Sequence, residues 1–225
     1  MLDRPMASDS NITWHAGHVT PADRRRVLGQ KGVTLWMTGL SASGKSTIGS
    51  LVEQKLIASG HSAYRLDGDN IRFGLNKDPR LLMEKSGYTE DAAKRFGVSF
   101  SADDRMENIR RIGEVAKLFA DAGLITITSF ISPYRRDRDA VRAMHDAGAF
   151  VEVYIKVSVE AAAKRDPKGL YKRAMAGEIK GFTGIDDPYE APERAEIVIE
   201  TETTAPDAAA DRVVAYLAEK GYLTA

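Results

Sequence analysis

Val33-Thr34-Leu35-Trp36-Met37-Thr38-Gly39-Leu40-Ser41-Ala42-Ser43-Gly44-Lys45-Ser46-Thr47 is the stretch that decides the fold. Gly39 to Ser46 meet the pattern G-x-x-x-x-G-K-[ST] at every fixed position, which makes a nucleoside triphosphate the first expected ligand. The pattern can recur by chance, so the flanks must supply a strand and a helix. Residues 33–38 form a short β-branched and apolar run suited to a buried parallel strand, and Ile48, Leu51, Val52 and Leu56 follow at helical spacing. A plain Gly/Ser-rich turn with an exposed lysine is the reading these flanks disfavour. Glycines let the backbone curl so that successive N–H groups, and the positive end of the next helix, point at phosphate oxygens. Lys45 then reaches the β and γ phosphates. Ser46 offers a hydroxyl to a magnesium ion bridging them, while Ser41 and Ser43 leave room for close backbone approach.

Strands and helices alternate outward from this unit. Residues 62–66 read as a second strand ending at Asp67-Gly68-Asp69, and residues 105–121 as a helix with Ile109, Ile112, Ala116 and Phe119 on one face. Residues 124–130 are strongly β-prone, and residues 138–145 continue as a helix. Residues 150–157 and 196–200 are further strands, and Val213, Val214 and Leu217 mark a closing helix. Residues 161–189 are basic, punctuated by Gly and Pro, and show no clear core face. The pattern predicts an α/β chain of the P-loop NTPase type, with a mostly parallel sheet and helices on both faces. Ligands then gather at the carboxyl ends of the strands. The expected division is an N-terminal extension, 1–32, packing on or near a P-loop core of residues 33–225.

Lys+Arg and Asp+Glu are equal at 32 each, which argues against a generic nucleic-acid or membrane-surface binder. Arg24-Arg25-Arg26 reads as a solvated helix face. With no cysteine there is no disulfide framework or thiolate metal site, and His15, His18, His61 and His145 show no ligand-like clustering. The N-terminus lacks an apolar signal region and no span has transmembrane length, so a cytoplasmic protein is expected.

Five features carry chemistry beyond the loop. Asp67 and Asp69 stand at a strand terminus beside the P-loop, able to touch magnesium or accept a proton from an attacking hydroxyl, although Asp-Gly is also an ordinary turn signal. Arg105 falls near the centre of an apolar helix stripe and Asn108 at its edge, which fits either an acceptor substrate or an internal salt bridge or cap. Arg165-Asp166-Pro167-Lys168-Gly169-Leu170-Tyr171-Lys172-Arg173 has the composition of a mobile lid over a phosphoryl group, or of a solvated basic helix. Phe100 and Phe182 suit stacking on a purine or a place in the core. Ser132 follows a strand's carboxyl end and can reach substrate, but no base is placed to activate it as a nucleophile.

Gly39 to Thr47, Leu66-Asp67-Gly68-Asp69-Asn70-Ile71-Arg72, Glu107-Asn108-Ile109-Arg110-Arg111, Phe130-Ile131-Ser132-Pro133-Tyr134-Arg135, Arg165 to Tyr171 and Phe182-Thr183-Gly184-Ile185 resemble, in order, the motifs of the adenylylsulfate kinases. The resemblance runs from about residue 12 to Gly221-Tyr222-Leu223 and includes Trp14-His15. It is strongest to the fungal monofunctional form.

That resemblance implies transfer of the ATP γ-phosphoryl group to the 3′-hydroxyl of adenosine 5′-phosphosulfate, with Mg2+ as cofactor, in a homodimer that engages neither nucleic acid nor membrane. It gives Gly39, Leu40, Ser41, Ala42, Ser43, Gly44, Lys45, Ser46, Thr47 and Arg165 to the nucleotide, and Ser46 and Asp67 to the metal. Lys45 and Asp67 are catalytic by this likeness, Asp67 orienting or deprotonating the 3′-hydroxyl. The adenylylsulfate site comprises Asp69, Asn70, Ile71, Arg72, Phe100, Arg105, Asn108, Ile131, Ser132, Lys168, Gly181 and Phe182. Ser132 also matches a family phosphoserine, although direct in-line transfer needs no covalent step. One departure stands out: the family passes almost directly from the equivalent of Asp78 to Phe100, whereas this chain adds about nineteen residues, 79–97, long for a loop without structure of its own. A short helix is expected near 89–96. The segment enters beside the acceptor site, where it either modulates binding or assembly or is a tolerated surface insertion.

Overall fold

The structure is a computed structural model that describes Thr13, His15 and residues 17–223. The family feature expected at Trp14 lies outside the described residues. Strands β1 (Val33–Thr38), β2 (Ala63–Asp67), β3 (Ile125–Ser129), β4 (Phe150–Lys156) and β5 (Ile197–Glu200) form one sheet in the order β2-β3-β1-β4-β5. Every pairing is parallel. The helices are α1 (Pro21–Leu28), α2 (Lys45–Ala58), α3 (Gly68–Arg72), α4 (Pro79–Ser86), α5 (Glu90–Phe96), α6 (Ala102–Asp121), α7 (Arg135–Met144), α8 (Val159–Arg165), α9 (Leu170–Met175) and α10 (Pro206–Glu219). Among the described residues no helix is long and apolar enough to cross a membrane.

Alternation along β1 builds two layers, because successive side chains of a strand leave on opposite faces. Val33, Leu35 and Met37 pack with Ile48, Val52 and Leu56 of α2 and with Val213 and Leu217 of α10. Trp36 packs on the other side, with Ile109, Ile112 and Ala116 of α6 and Val141 of α7. All six β1 residues are buried, as expected of a central strand covered on both faces. The chain leaves β1 for β2 on one side and returns on the other through β4 and β5. The carboxyl end of β1 is therefore the switch point, where a crevice opens.

One expectation is corrected. The segment 161–189 does have a core face: Ala162 of α8, Tyr171 and Ala174 of α9 and Phe182 pack with Leu40 and Val157. The alanines and aromatics are spread over two short helices and a loop, so no single period displays them. The insertion holds the expected helix, capped by Thr89, and also α4, whose start carries Asp78 as N-cap and Pro79 in the first turn. The amide of Val98 donates to the carbonyl of Lys77 at 2.9 Å, so the insertion leaves and rejoins the fold at one point. A Cβ on Gly97 would lie 2.7 Å from the Pro79 nitrogen, which is why glycine stands at the closure.

Candidate active site

The loop between β1 and α2 wraps tightly around its own lysine. Gly39 has φ +151°, and a Cβ there would lie 2.4 Å from the Ile155 carbonyl oxygen of neighbouring β4, so only glycine fits. Ala42 takes a left-handed φ of 56° and Gly44 one of 103°, turning the chain into α2. Lys45 is buried, and its Nζ donates to the Gly39 carbonyl at 2.9 Å, the Leu40 carbonyl at 2.6 Å and Ser43 Oγ at 3.2 Å. Burial pushes this amine down to about 7, against the pull of the nearby Asp67 carboxylate. Ser46 and Thr47, in the first turn of α2, are exposed.

Asp67 ends β2 and begins α3, so Asp67-Gly68-Asp69 is a strand-to-helix junction rather than a plain turn. Its Oδ1 accepts from the Asp69 amide at 3.1 Å as an N-cap, and its Oδ2 accepts from Arg65 Nη1 at 2.8 Å. Arg65, which holds the Asp67 carboxylate, was not among the residues expected at the site. Its signal was present, since residues two apart on a strand share a face. Asp69 pairs with Lys168 of the lid. Asn70 and Ile71 lie in α3, and Arg72, at its end, donates to the carbonyls of Val98 at 3.0 Å and Ser99 at 3.1 Å. The Arg72 guanidinium also stacks on Phe100, 4.1 Å from the ring centroid. Phe100 is 64% exposed, whereas Phe182 is buried edge-on against Tyr171 and belongs to the lid core in this conformation. Asp69, Arg72, Phe73, Phe100 and Lys168 line a cavity of about 360 Å³, joined by Asp78 and Leu81.

Arg105 and Asn108 part company. Arg105 turns toward the lid, with Nη1 on Asp187 at 2.9 Å and Nη2 on the Gly181 carbonyl at 2.5 Å, so the internal salt bridge is the arrangement seen. Asn108 is buried, its Oδ1 accepting from Asn76 Nδ2 at 2.9 Å. Ser132 has φ +40° and is 2% exposed, and its Oγ accepts a hydrogen bond from Trp36 Nε1 at 3.1 Å. Its carbonyl is held by Arg138, and that of Ile131 by Thr38 Oγ1 at 2.7 Å. A hydroxyl fixed by an indole N–H, with no base on it, suits a structural contact rather than a nucleophile.

Two residues of the segment expected as a lid, Arg165 and Tyr171, reach the P-loop. Arg165 donates to Thr201 Oγ1 at 2.9 Å, to the Thr201 carbonyl at 2.6 Å and weakly to the Ser43 carbonyl, and Tyr171 donates to the Ser41 carbonyl at 3.1 Å. Burial lifts the Tyr171 hydroxyl to about 12, which keeps it a donor at neutral pH. Thr201 and Tyr171 were not among the expected site residues. No sequence period links residues so far apart, and only the folded chain brings them to the loop.

Hard oxygen donors suit a magnesium ion carried on a nucleotide, which needs only one or two protein ligands besides phosphates and water. The exposed Ser46 hydroxyl and the Asp67 carboxylate fit that demand, since each Asp67 oxygen has a lone pair beyond its one hydrogen bond.

Comparison with known proteins places this geometry. Residues 31–94 and 92–200 match the family model described as adenylylsulphate kinase. The adenylyl-sulfate kinase of Staphylococcus carnosus is 52% identical over 215 residues, covering 96% of this chain and 98% of the relative. The chloroplastic adenylyl-sulfate kinase 1 of Arabidopsis thaliana is also 52% identical, over 98% of this chain and 73% of that protein. Among solved structures, the Mycobacterium tuberculosis APS kinase CysC in complex with AMPPNP and APS superposes with a TM-score of 0.71 at 41% identity, covering 84% of this chain and 99% of that one. These relatives are bacterial and plant proteins, which leaves the expected likeness to the fungal form without support.

Proposed function

The chain belongs to the adenylylsulfate kinase family, and from that premise we propose that it transfers the γ-phosphoryl group of ATP to the 3′-hydroxyl of adenosine 5′-phosphosulfate. The observation that carries this reading is one short segment spanning two half-sites. Arg165 and Tyr171 sit on P-loop carbonyls while Lys168, between them, pairs with Asp69 beside Phe100 and Arg72. A lid tied to both halves suits a phosphoryl transfer from one nucleotide to another.

In this reading the loop amides and Lys45 hold the triphosphate, and Arg165 neutralises charge at its edge. Ser46 and Asp67 hold the magnesium, which supplies charge neutralisation at the phosphates when bound. Asp67, held by Arg65 and by the Asp69 amide, orients the acceptor hydroxyl. In a loose phosphoryl-transfer transition state, alignment and charge compensation outweigh early proton removal, so positioning is its main contribution. Phe100 and Phe182 flank the acceptor's base, with Asn70, Ile71, Ile131, Ser132 and Gly181 shaping the pocket. Arg72, Arg105, Asn108 and Lys168 supply its polar and cationic contacts. Arg105 reaches an acceptor by exchanging its bond to Asp187. We propose residues 33–225 as the kinase unit with the 1–32 extension packing on or near it, a cytoplasmic setting and, on family likeness alone, a homodimer.

The test follows ADP release from MgATP with a panel of hydroxyl acceptors. Turnover selective for adenosine 5′-phosphosulfate is expected. Selective turnover of shikimate or gluconate, or nucleotide binding without any turnover, would overturn the assignment.

A further inference from the structure

The insertion is the part of this chain that the functional reading leaves unused, and its geometry gives it a task. Residues 79–97 fold as two capped helices, α4 and α5, and the ends of the excursion meet at the Lys77 to Val98 hydrogen bond. Such a closed excursion costs the surrounding fold little, because the chain re-enters where it left. It does not stand apart from the pocket, however. Leu81, in the first turn of α4, and the N-cap residue Asp78 line the same cavity as Phe73, Phe100, Arg72 and Lys168. The Asp78 carboxylate is engaged in capping, its Oδ1 accepting from the Leu81 amide at 2.8 Å, so that bond sets the aim of the first turn of α4. At the other end, the carbonyls of Val98 and Ser99 hold Arg72 in its stack on Phe100. The insertion thus touches the cavity through Leu81 and the cation through its closure.

We propose that the α4–α5 hairpin is an added wall of the acceptor pocket, with Leu81 as a specificity-determining residue for the acceptor's aromatic base. The chemistry fits: an exposed phenylalanine ring and a leucine offer apolar surface to a planar base, while Arg72 and Lys168 offer positive charge to the anionic end of the same ligand. A base flanked by Phe100 and Phe182 still keeps an edge in water, and Leu81 removes part of that edge from solvent. The proposal rests on the acceptor assignment made above.

The test compares the parent chain with Leu81→Asp, Leu81→Ala and a variant in which residues 79–97 are replaced by a Gly-Ser link. KM for adenosine 5′-phosphosulfate, KM for ATP and kcat are each measured. Leu81→Asp is expected to raise the acceptor KM about tenfold and Leu81→Ala about threefold, with the ATP KM unchanged. The link variant is expected to match or exceed Leu81→Asp and to narrow the preference for adenine over other bases in the acceptor. The point variants carry the test if the link variant does not fold. An acceptor KM within twofold of the parent in both point variants overturns the inference while leaving the kinase assignment standing. A parent chain inert toward adenosine 5′-phosphosulfate overturns both, and the panel of acceptors identifies that outcome separately.

Discussion

Lys45 shows how much one residue's setting can differ from its motif. The P-loop pattern assigns it to phosphate, and the fold surrounds it with the loop's own oxygens in a buried place that lowers its pKa to about 7 from 10.5. Between those two values the unfolded chain binds the proton more readily than the native one. Native stability should therefore rise with pH from about 7 to about 10.5 on this residue's account, and be indifferent to it on either side. A triphosphate beside the amine favours the ammonium form, so nucleotide binding should take up protons. Titration calorimetry near about pH 8 in buffers of different ionisation enthalpy should show uptake of up to one proton on MgATP binding, absent in Lys45→Ala. An observed enthalpy independent of the buffer would show that Lys45 is already charged. The same substitution should lower kcat by about a hundredfold or more while the fold persists. The motif residues, Asp67 and Lys168 were legible at this scale because each sits in a local pattern. Arg65, Trp36 and Thr201 were not singled out, since their roles consist of touching those residues.

At the scale of elements, α7 and β4 are joined by a buried ion pair that also shapes the site. Arg138, 1% exposed, donates from Nε to Glu152 Oε1 at 2.7 Å, from Nη1 to the Ser132 carbonyl at 2.7 Å and from Nη2 to the Glu190 carbonyl at 2.7 Å. Removing one partner of a buried pair costs more than the pair contributes, because the survivor keeps its desolvation penalty. Arg138→Met should lower unfolding free energy by about 3 kcal/mol in urea denaturation, the lower end of the usual range because Arg142 still reaches Glu152. It should also raise KM for the acceptor, since the Ser132 loop loses its anchor. Lys156→Ala, which breaks an exposed pair with Glu200, should leave the midpoint unchanged, and equal effects of the two would sink the distinction. Elements with strong periods, such as α6 and the central strands, were read close to their true limits. Helix α4 was passed over despite its Asp-Pro start, and the lid core could not be seen because α8 and α9 are too short to show a period.

For the whole molecule, the N-terminal segment is tied to the sheet by one fully buried side chain. Gln30 Nε2 donates to the carbonyls of Ser62 and Gly123, both at 2.8 Å, and its Oε1 accepts from the Ser62 amide at 2.7 Å. It thereby clamps the entries of β2 and β3, while the Lys31 amide bonds to the Tyr222 carbonyl near the other end of the chain. Gln30→Ala leaves buried backbone groups unpaired and should cost about 2–4 kcal/mol in denaturant unfolding, with kcat of the folded fraction unchanged. A loss below about 0.5 kcal/mol would mean that water replaces the amide. The sequence by itself determined the fold class, the P-loop, the Asp67 junction and the family, because strand and helix periods and a glycine-spaced loop are short-range patterns. Only the tertiary structure decided that Arg105 is bound to Asp187, that Phe182 is buried, that Ser132 answers to Trp36 and that Leu81 lines a cavity with Phe100 and Lys168. Those facts depend on which distant segments meet at the carboxyl edge of the sheet, and packing, not local propensity, selects them.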